Sequence, residues 1–155
     1  PLQVGSDLAR LAWVLSVRDD EGMDREPGPY TGYGAEETSV DGVAVLGISA
    51  HPPDGGSVAL QALVTLPEEP CRFCSEVGLR DGSRSEGVTF EIWVGGTREA
   101  ALHMEPGPRQ AMEVDLAAFA GRTVVLELVV DSEGSHYYDW AHWGLPRLEA
   151  LPTRP

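Results

Sequence analysis

The segment from Gly87 to Val94 restricts the fold of this chain most, because its apolar residues alternate strictly with other residues. One side of the extended segment carries Val88, Phe90, Ile92 and Val94. A period of two is typical of a β-strand with one buried face. The pair Gly95-Gly96 follows at once and has the composition of a two-residue hairpin turn. The sequence therefore predicts a β-hairpin, with residues 97–103 as the returning strand.

In the rest of the chain, Gly and Pro residues likewise separate short apolar segments, and no segment has the convincing pattern of an amphipathic helix. Further strands are predicted at residues 8–17, 43–49, 58–66, 72–80, 112–116, 122–130 and 138–148. Residues 122–130 are apolar on both faces, which indicates a central strand. Residues 18–41, rich in acidic residues, Gly and Pro, are predicted to be a long loop. A chain of 155 residues can bury a core, so we expect one all-β sandwich domain over residues 1–155.

The charge balance excludes several partners. The chain has 25 acidic and 11 basic residues, a net charge of −14, and its scattered arginines form no basic patch that could neutralise phosphates. Nucleic acid and anionic membrane surfaces are therefore not expected, and no apolar run approaches the ~20 residues of a membrane span. Lys and Asn, whose codons are A-rich, are absent, which indicates a GC-rich and bacterial genome. Because the chain begins at Pro1, we expect a module excised from a larger protein.

The two cysteines are Cys71 and Cys74, in a C-x-x-C spacing. Zinc would require a second pair of ligands, and the sequence has none. In an extended strand the two Cα atoms would lie roughly 10 Å apart, too far for a disulfide, although Pro70 could introduce a bend. Ordinary thiols, a local disulfide and a functional site remain the three interpretations.

The final strand segment carries a second informative motif, Tyr138-Asp-Trp-Ala-His-Trp-Gly-Leu-Pro-Arg-Leu148. Together with residues 47–51, 73–94, 114–116 and 121–131, it resembles the family of novel carbohydrate-binding modules, over residues 43–148. The resemblance implies a jelly-roll β-sandwich related to the galactose-binding-like fold, an accessory non-catalytic role, and an extracellular or cell-envelope location. One departure is His142, where many relatives have an acidic residue or Asn.

A sugar site needs an aromatic face for stacking and a few polar groups for hydroxyls. Sandwiches of this kind usually carry it on end loops, and the candidates here are Tyr30, Tyr33, His51, His136, Tyr137 and Asp139. The alternative for the first two is that they pack the long loop onto the sandwich. Trp143 is expected in the core, and Asp139 on the same face would need a partner, for which His51 or Arg147 is suggested. That pairing would either stabilise the fold as a buried polar contact or form part of the sugar pocket.

Metal binding has two possible forms in this sequence. A transition-metal triad of His136, Asp139 and His142 is disfavoured, because on a strand Asp139 points away from both histidines. A structural calcium ion is the hypothesis that remains, with oxygen ligands from acidic loops. The candidate ligands are Asp19, Asp20, Asp131 and Glu133, with Glu21 and Asp24 beside the first pair.

Catalysis is not expected, because the sequence has none of the nucleophile, metalloprotease or phosphate-loop motifs. The hypothesis is a non-catalytic module that binds a glycan weakly in a shallow loop-end site and is attached to neighbouring domains of a parent protein. The alternative is a structural interaction domain without a sugar site, anchored by Trp93 and Trp140. A small jelly-roll lyase or hydrolase is a third possibility.

Overall fold

A computed structural model describes residues 1–28 and 30–152. Its strands are β1 (Val14–Asp19), β2 (Gly32–Val40), β3 (Val43–His51), β4 (Gly56–Thr65), β5 (Cys71–Leu79), β6 (Val88–Val94), β7 (Thr97–Met104), β8 (Gln110–Asp115), β9 (Thr123–Asp131) and β10 (Ala141–Ala150). They form two five-stranded antiparallel sheets, in the orders β1-β4-β9-β6-β7 and β2-β3-β10-β5-β8. A 3-10 turn at Ala117–Phe119 precedes β9. The predicted all-β jelly-roll sandwich is confirmed.

The core lies between the two sheets, and it confirms the alternation that the sequence showed. Phe90 of β6 and Trp143 of β10 are both fully buried and meet edge to face, with ring centroids 5.0 Å apart. Such a pair adds about 0.5–1.5 kcal/mol beyond the area that it buries. The apolar face of β6 therefore packs directly against the final strand. No helical segment in the described ranges has the length and apolar character that crossing a membrane requires.

The strand prediction is accurate where the alternation is strong and wrong near the N-terminus. β6 has the predicted bounds, and Gly95 and Gly96 both have positive φ, as the hairpin turn requires. The predicted loop at residues 18–41 instead contains β2, and the predicted strand at 8–17 begins only at Val14. β2 is an edge strand in which Thr38 and Val40 alone are buried. Its sequence therefore lacks the apolar alternation of a half-buried strand.

The cysteines are both buried and free, so the local disulfide is excluded in this structure. Cys71 belongs to the core between the sheets, whereas Cys74 lies close to Arg72 and Glu149. Burial is the largest cause that raises the pKa of the Cys74 thiol, to about 11. A thiol of this kind stays protonated at neutral pH, which favours the interpretation as ordinary thiols.

Gly47 on β3 lies very close to the backbone of β10, and this contact supports a stability prediction. A Cβ atom added there would lie 2.0 Å from the backbone oxygen of Trp143. Because that neighbour is backbone, Gly47→Ala should force β3 and β10 apart and lower the free energy of unfolding by about 1–3 kcal/mol. Urea denaturation would measure the loss. Gly34→Ala is the control, since nothing lies within 4 Å of its Cβ position, and an equal loss in both variants would contradict the prediction.

Candidate functional site

A groove opens at the end of the sandwich where β2 and β10 begin and where β3 and β5 end. The strand register brings these ends together, because Gly32 pairs with His51 and Ala141 pairs with both Ala50 and Leu79. The first part of the groove has a volume of about 290 Å³. It is lined by Tyr30, Gly32, Tyr33, Gly34, Glu36, Ser49, Ala50, His51, Arg80, Trp140 and Ala141. Strand pairing thus positions most of its wall.

The second part of the groove has a volume of about 650 Å³. It is lined by Tyr30, His51, His136, Tyr137, Tyr138 and Trp140. Three of these residues, Tyr30, His51 and Trp140, also line the first part, so the two parts are neighbours with a shared wall. Both volumes are of the order found in small-molecule sites, about 300–1,000 Å³.

The wall of the groove is unusually rich in tyrosine. All four tyrosines of the chain line it, whereas none of the three phenylalanines does. A tyrosine ring offers an apolar face together with a hydroxyl, which suits a wet binding surface better than a core. Tyr30 is 83% exposed and Tyr137 is 63% exposed, so two rings are available at the groove without any rearrangement.

The aromatic side of the groove is built from consecutive ring contacts. The Tyr137 and Tyr138 centroids are 4.4 Å apart, and those of Tyr138 and Trp140 are 5.0 Å apart, both edge to face. The guanidinium of Arg80 lies 4.2 Å from the Trp140 ring centroid, and that of Arg84 lies 5.6 Å from the Tyr138 ring. These contacts stabilise the rings by cation–π attraction. Trp140 is therefore held in place before any ligand arrives.

The two histidines of the groove are fixed by different partners. His51 donates from Nδ1 to the backbone oxygen of Pro52 at 3.0 Å, and burial lowers its pKa, so its Nε2 is an acceptor at neutral pH. His136 contacts Oδ1 of Asp54 through both its backbone N–H and its Nδ1, each at 2.8 Å. The two imidazoles meet edge to face with centroids 5.9 Å apart. They supply hydrogen-bonding groups next to the aromatic wall.

Tyr33 and Tyr30 differ in how they are anchored. The Tyr33 hydroxyl donates to the backbone oxygen of Trp13 at 2.9 Å, and its ring is 43% exposed. Tyr33 therefore packs against the N-terminal segment and also lines the groove, while its contact with a ligand stays a prediction. Tyr30 has a positive φ of 69° and lines both parts of the groove.

Asp139 lies beneath the groove rather than in its wall. It is 1% exposed, and its Oδ1 accepts a 2.5 Å hydrogen bond from the Ser85 hydroxyl, while Oδ2 has no protein partner among the described residues. The suggested partners are wrong: His51 bonds to Pro52, and Arg147 pairs with Glu76 and Glu149. Burial raises the pKa of Asp139 to about 7, against the smaller lowering by the Ser85 hydrogen bond.

The Ser85–Asp139 contact ties two loops together under the aromatic wall. Ser83, two residues earlier, donates from its hydroxyl to the Tyr138 backbone oxygen at 2.7 Å. Tyr138 itself has a φ of 57°, an uncommon value for a residue with a side chain. Asp139 is therefore placed to position the segment that carries Tyr137, Tyr138 and Trp140, not to contact a ligand.

His142 occupies the position where the sequence departs from the resemblance. It is fully buried, accepts at Nδ1 from the Arg109 guanidinium at 2.9 Å, and donates from Nε2 to the Glu36 backbone oxygen at 3.2 Å. Burial is the main reason that its pKa falls to about 4, so the ring is neutral at pH 7. An acceptor for Arg109 is what this position requires, and a neutral imidazole provides one.

The predicted calcium ligands lie in local turns. Asp19 Oδ1 accepts from the backbone N–H groups of Glu21 and Met23, and Asp131 Oδ1 accepts from that of Glu133. Glu133 Oε1 is engaged by Thr89 and by His103, each at 2.6 Å. Across residues 1–28 and 30–152, no three His, Cys, Asp or Glu side chains are grouped as a metal site. Calcium binding through these residues and Asp20 stays a prediction.

The wall residues that were not predicted from the sequence include four large polar or aromatic ones: Glu36, Arg80, Tyr138 and Trp140. Trp140 and Arg80 lie in or beside strands, and a ligand role was expected from loops. The missed signal was the strand register, since Arg80 directly follows β5 and donates its backbone N–H to Trp140. That pairing places both side chains at the same edge.

No family model matches this chain. A protein of Archaeoglobus fulgidus is 31% identical over 81 residues, a match that covers 44% of this chain and 20% of that protein. Among solved structures, CBM51 from Clostridium perfringens GH95 in complex with methyl-galactose superposes with a TM-score of 0.66 at 17% identity. That match covers 92% of this chain and 98% of the CBM51 chain.

Two further structures share the fold. The CBM51-2 and INT domains of Clostridium perfringens ZmpB match with a TM-score of 0.64 at 17% identity, over 94% of this chain and 31% of that one. Tandem CBM51 modules of a family 98 glycoside hydrolase from Streptococcus pneumoniae match with a TM-score of 0.61 at 16% identity, over 94% and 47%. This chain thus spans about a fifth of the Archaeoglobus relative and a third of the ZmpB chain. At these identities the comparisons show the fold alone, which is a galactose-binding-like jelly-roll sandwich.

Proposed function

We propose that this protein is a non-catalytic carbohydrate-binding module whose ligand lies in the tyrosine-rich groove. The observation that carries the proposal is the convergence of all four tyrosines and Trp140 on one groove at an end of the sandwich. Aromatic faces bind the C–H face of a pyranose, and the neighbouring polar groups can hydrogen-bond its hydroxyls. The likeness to CBM51 structures, one of them in complex with methyl-galactose and one with GlcNAc, supports the same class.

The location of the groove relative to the last strand supports an accessory role. The backbone N–H of Leu2 donates to the backbone oxygen of Thr65, which is the last residue of β4. Leu151 follows the last residue of β10. The groove lies at the other end of β10, which at ~3.3 Å per residue is roughly 30 Å away. A neighbouring domain joined beyond β10 would leave the groove accessible. A weak site of this kind raises the local concentration of its parent protein at a glycan surface, and we propose that this surface lies outside the cell.

The acidic residues around the groove favour binding over catalysis. Among the described residues, Asp139 is the carboxyl group whose pKa is raised to about 7, and it is buried beneath the wall. Glycoside hydrolysis would require two carboxyl groups facing the substrate. Glu36 is the acidic residue that lines the groove. The groove is therefore suited to holding a sugar.

A glycan array with the purified domain tests the proposal. We expect retention of a defined glycan class, reduced about tenfold or more by Tyr30→Ala and by Tyr33→Ala, because each removes a ring from the wall. Tyr33→Phe separates packing from contact, since it keeps the ring and removes the hydroxyl that bonds to Trp13. A blank array with a folded domain would contradict the proposal and favour the interaction-domain alternative.

The same array run with calcium and with EDTA tests the predicted ion. If calcium supports the site, EDTA should abolish retention and lower the melting temperature, since an ion that binds only the folded state stabilises it. Asp19→Asn and Asp131→Asn would show which turn holds the ion. Unchanged retention and melting in EDTA would contradict the calcium prediction and leave the sugar site intact.

A further inference from the structure

We infer that the groove holds at least two consecutive sugar units, with a polar subsite and an aromatic subsite that share Trp140 as their common wall; this rests on the proposed function. The polar subsite contains Glu36 and Arg80, and the aromatic subsite contains His136, Tyr137 and Tyr138. The ligand class is therefore an oligosaccharide, not a single monosaccharide.

The polar subsite has two opposite charges without mutual pairing. Within residues 1–28 and 30–152, neither the Glu36 carboxylate nor the Arg80 guanidinium makes an ion pair, and neither side chain donates or accepts a hydrogen bond. A carboxylate only accepts and a guanidinium only donates. A sugar with several hydroxyls can satisfy both at once, since each hydroxyl donates and accepts. Charge-assisted hydrogen bonds of this kind are stronger than neutral ones.

The aromatic subsite offers a different chemistry. Its wall is a run of ring contacts from Tyr137 through Tyr138 to Trp140, and no carboxylate of the described residues lines it. A sugar there would be held by stacking, and the side-chain hydrogen-bonding groups of this subsite are the tyrosine hydroxyls, the Trp140 indole N–H and the imidazoles of His51 and His136. Its volume of about 650 Å³ exceeds the 290 Å³ of the polar part, so the two parts together have room beyond one small ring.

The separation of the two chemistries predicts a dependence on ligand length. We expect a monosaccharide to bind in the polar subsite, where charge-assisted hydrogen bonds are available, whereas a disaccharide can reach both subsites around Trp140. Because Arg80 and the ring contacts hold Trp140 in place, little ordering cost should offset the second contact. We expect a disaccharide to bind about tenfold more tightly than its monosaccharide.

Isothermal titration calorimetry with two length series tests this inference. The probes are methyl galactoside with β-1,4-linked galactobiose, and N-acetylglucosamine with its β-1,4-linked disaccharide. Tyr137→Ala should reduce the ratio of disaccharide to monosaccharide affinity from about tenfold to about one, and Tyr137→Phe should restore it. Glu36→Gln should weaken both ligands by the same factor, about tenfold, and keep the ratio. Glu37→Gln is the matched control, because Glu37 neighbours Glu36 on β2 but does not line the groove.

The outcomes distinguish this inference from the proposed function. Equal affinity of the wild type for both lengths, or an equal loss for both lengths in Tyr137→Ala, would overturn the two subsites while the module still binds sugar. Binding to neither series would also overturn them, and the proposed function would then depend on the glycan array alone.

Discussion

Trp140→Ala should weaken glycan binding by the isolated domain about 30-fold to 100-fold. Trp140 lines both parts of the groove, so its removal takes a stacking face from each. Aromatic residues at the centre of a binding site typically cost about 2 kcal/mol or more when truncated, which corresponds to that range. The substitution also frees the Arg80 guanidinium, which now lies 4.2 Å from the ring. Affinity electrophoresis against the glycan retained on the array would measure the loss.

A matched control distinguishes a binding effect from a folding effect. Trp93 lies in β6 of the other sheet, where its ring nitrogen donates to Glu91 at 2.8 Å, and it does not line the groove. Trp93→Ala should therefore keep glycan affinity, whereas Trp140→Tyr should retain part of it. If Trp140→Ala binds as tightly as the wild type, the groove is not the site. If Trp93→Ala alone lost binding, the site would lie on the opposite sheet.

Asp139→Asn should stabilise the domain at alkaline pH and leave it nearly unchanged near pH 4. The pKa of Asp139 is about 7 in the folded state, against 3.8 for an exposed Asp carboxyl. Stability from this group is therefore full below pH 3.8 and is lost as pH rises through 7, because the folded state must then hold a buried charge. A difference of about three pKa units is worth about 4 kcal/mol. Urea denaturation at pH 4, 6 and 8 would measure the difference between variant and wild type.

The difference in the free energy of unfolding between Asp139→Asn and the wild type is the quantity to follow, because His142 titrates in the same pH range. Its lowered pKa makes the wild type lose stability as pH falls from 6.5 towards 4, and the Asn variant keeps this dependence. Asp81→Asn is the control: its pKa is lowered, chiefly by the hydrogen bond from the Ser39 hydroxyl, so it should add no dependence between pH 6 and 8. A constant difference between Asp139→Asn and wild type at all three pH values would contradict the assigned burial cost.

The alternating segments predicted the sandwich because one buried face imposes a period of two on the residues that form it. Residues 88–94 show this directly, and Trp143 was correctly placed in the core. β2 was not predicted, because the apolar residues of an edge strand with two buried positions need not alternate. The partner of Asp139 was not predicted either, because Ser85 lies 54 positions earlier and nothing in the local sequence marks the contact.

The sheet class, the core face of β6 and the candidate rings Tyr30, Tyr33 and Tyr137 could all be predicted from the amino-acid sequence. These predictions use local periodicity and residue chemistry, which need no knowledge of distant neighbours. The common groove of these rings with Trp140, and the position of Asp139 beneath it, became evident in the folded protein alone. The reason is that antiparallel pairing joins residues far apart in the chain, and the register of β3, β5 and β10 is set by the packing of both sheets together.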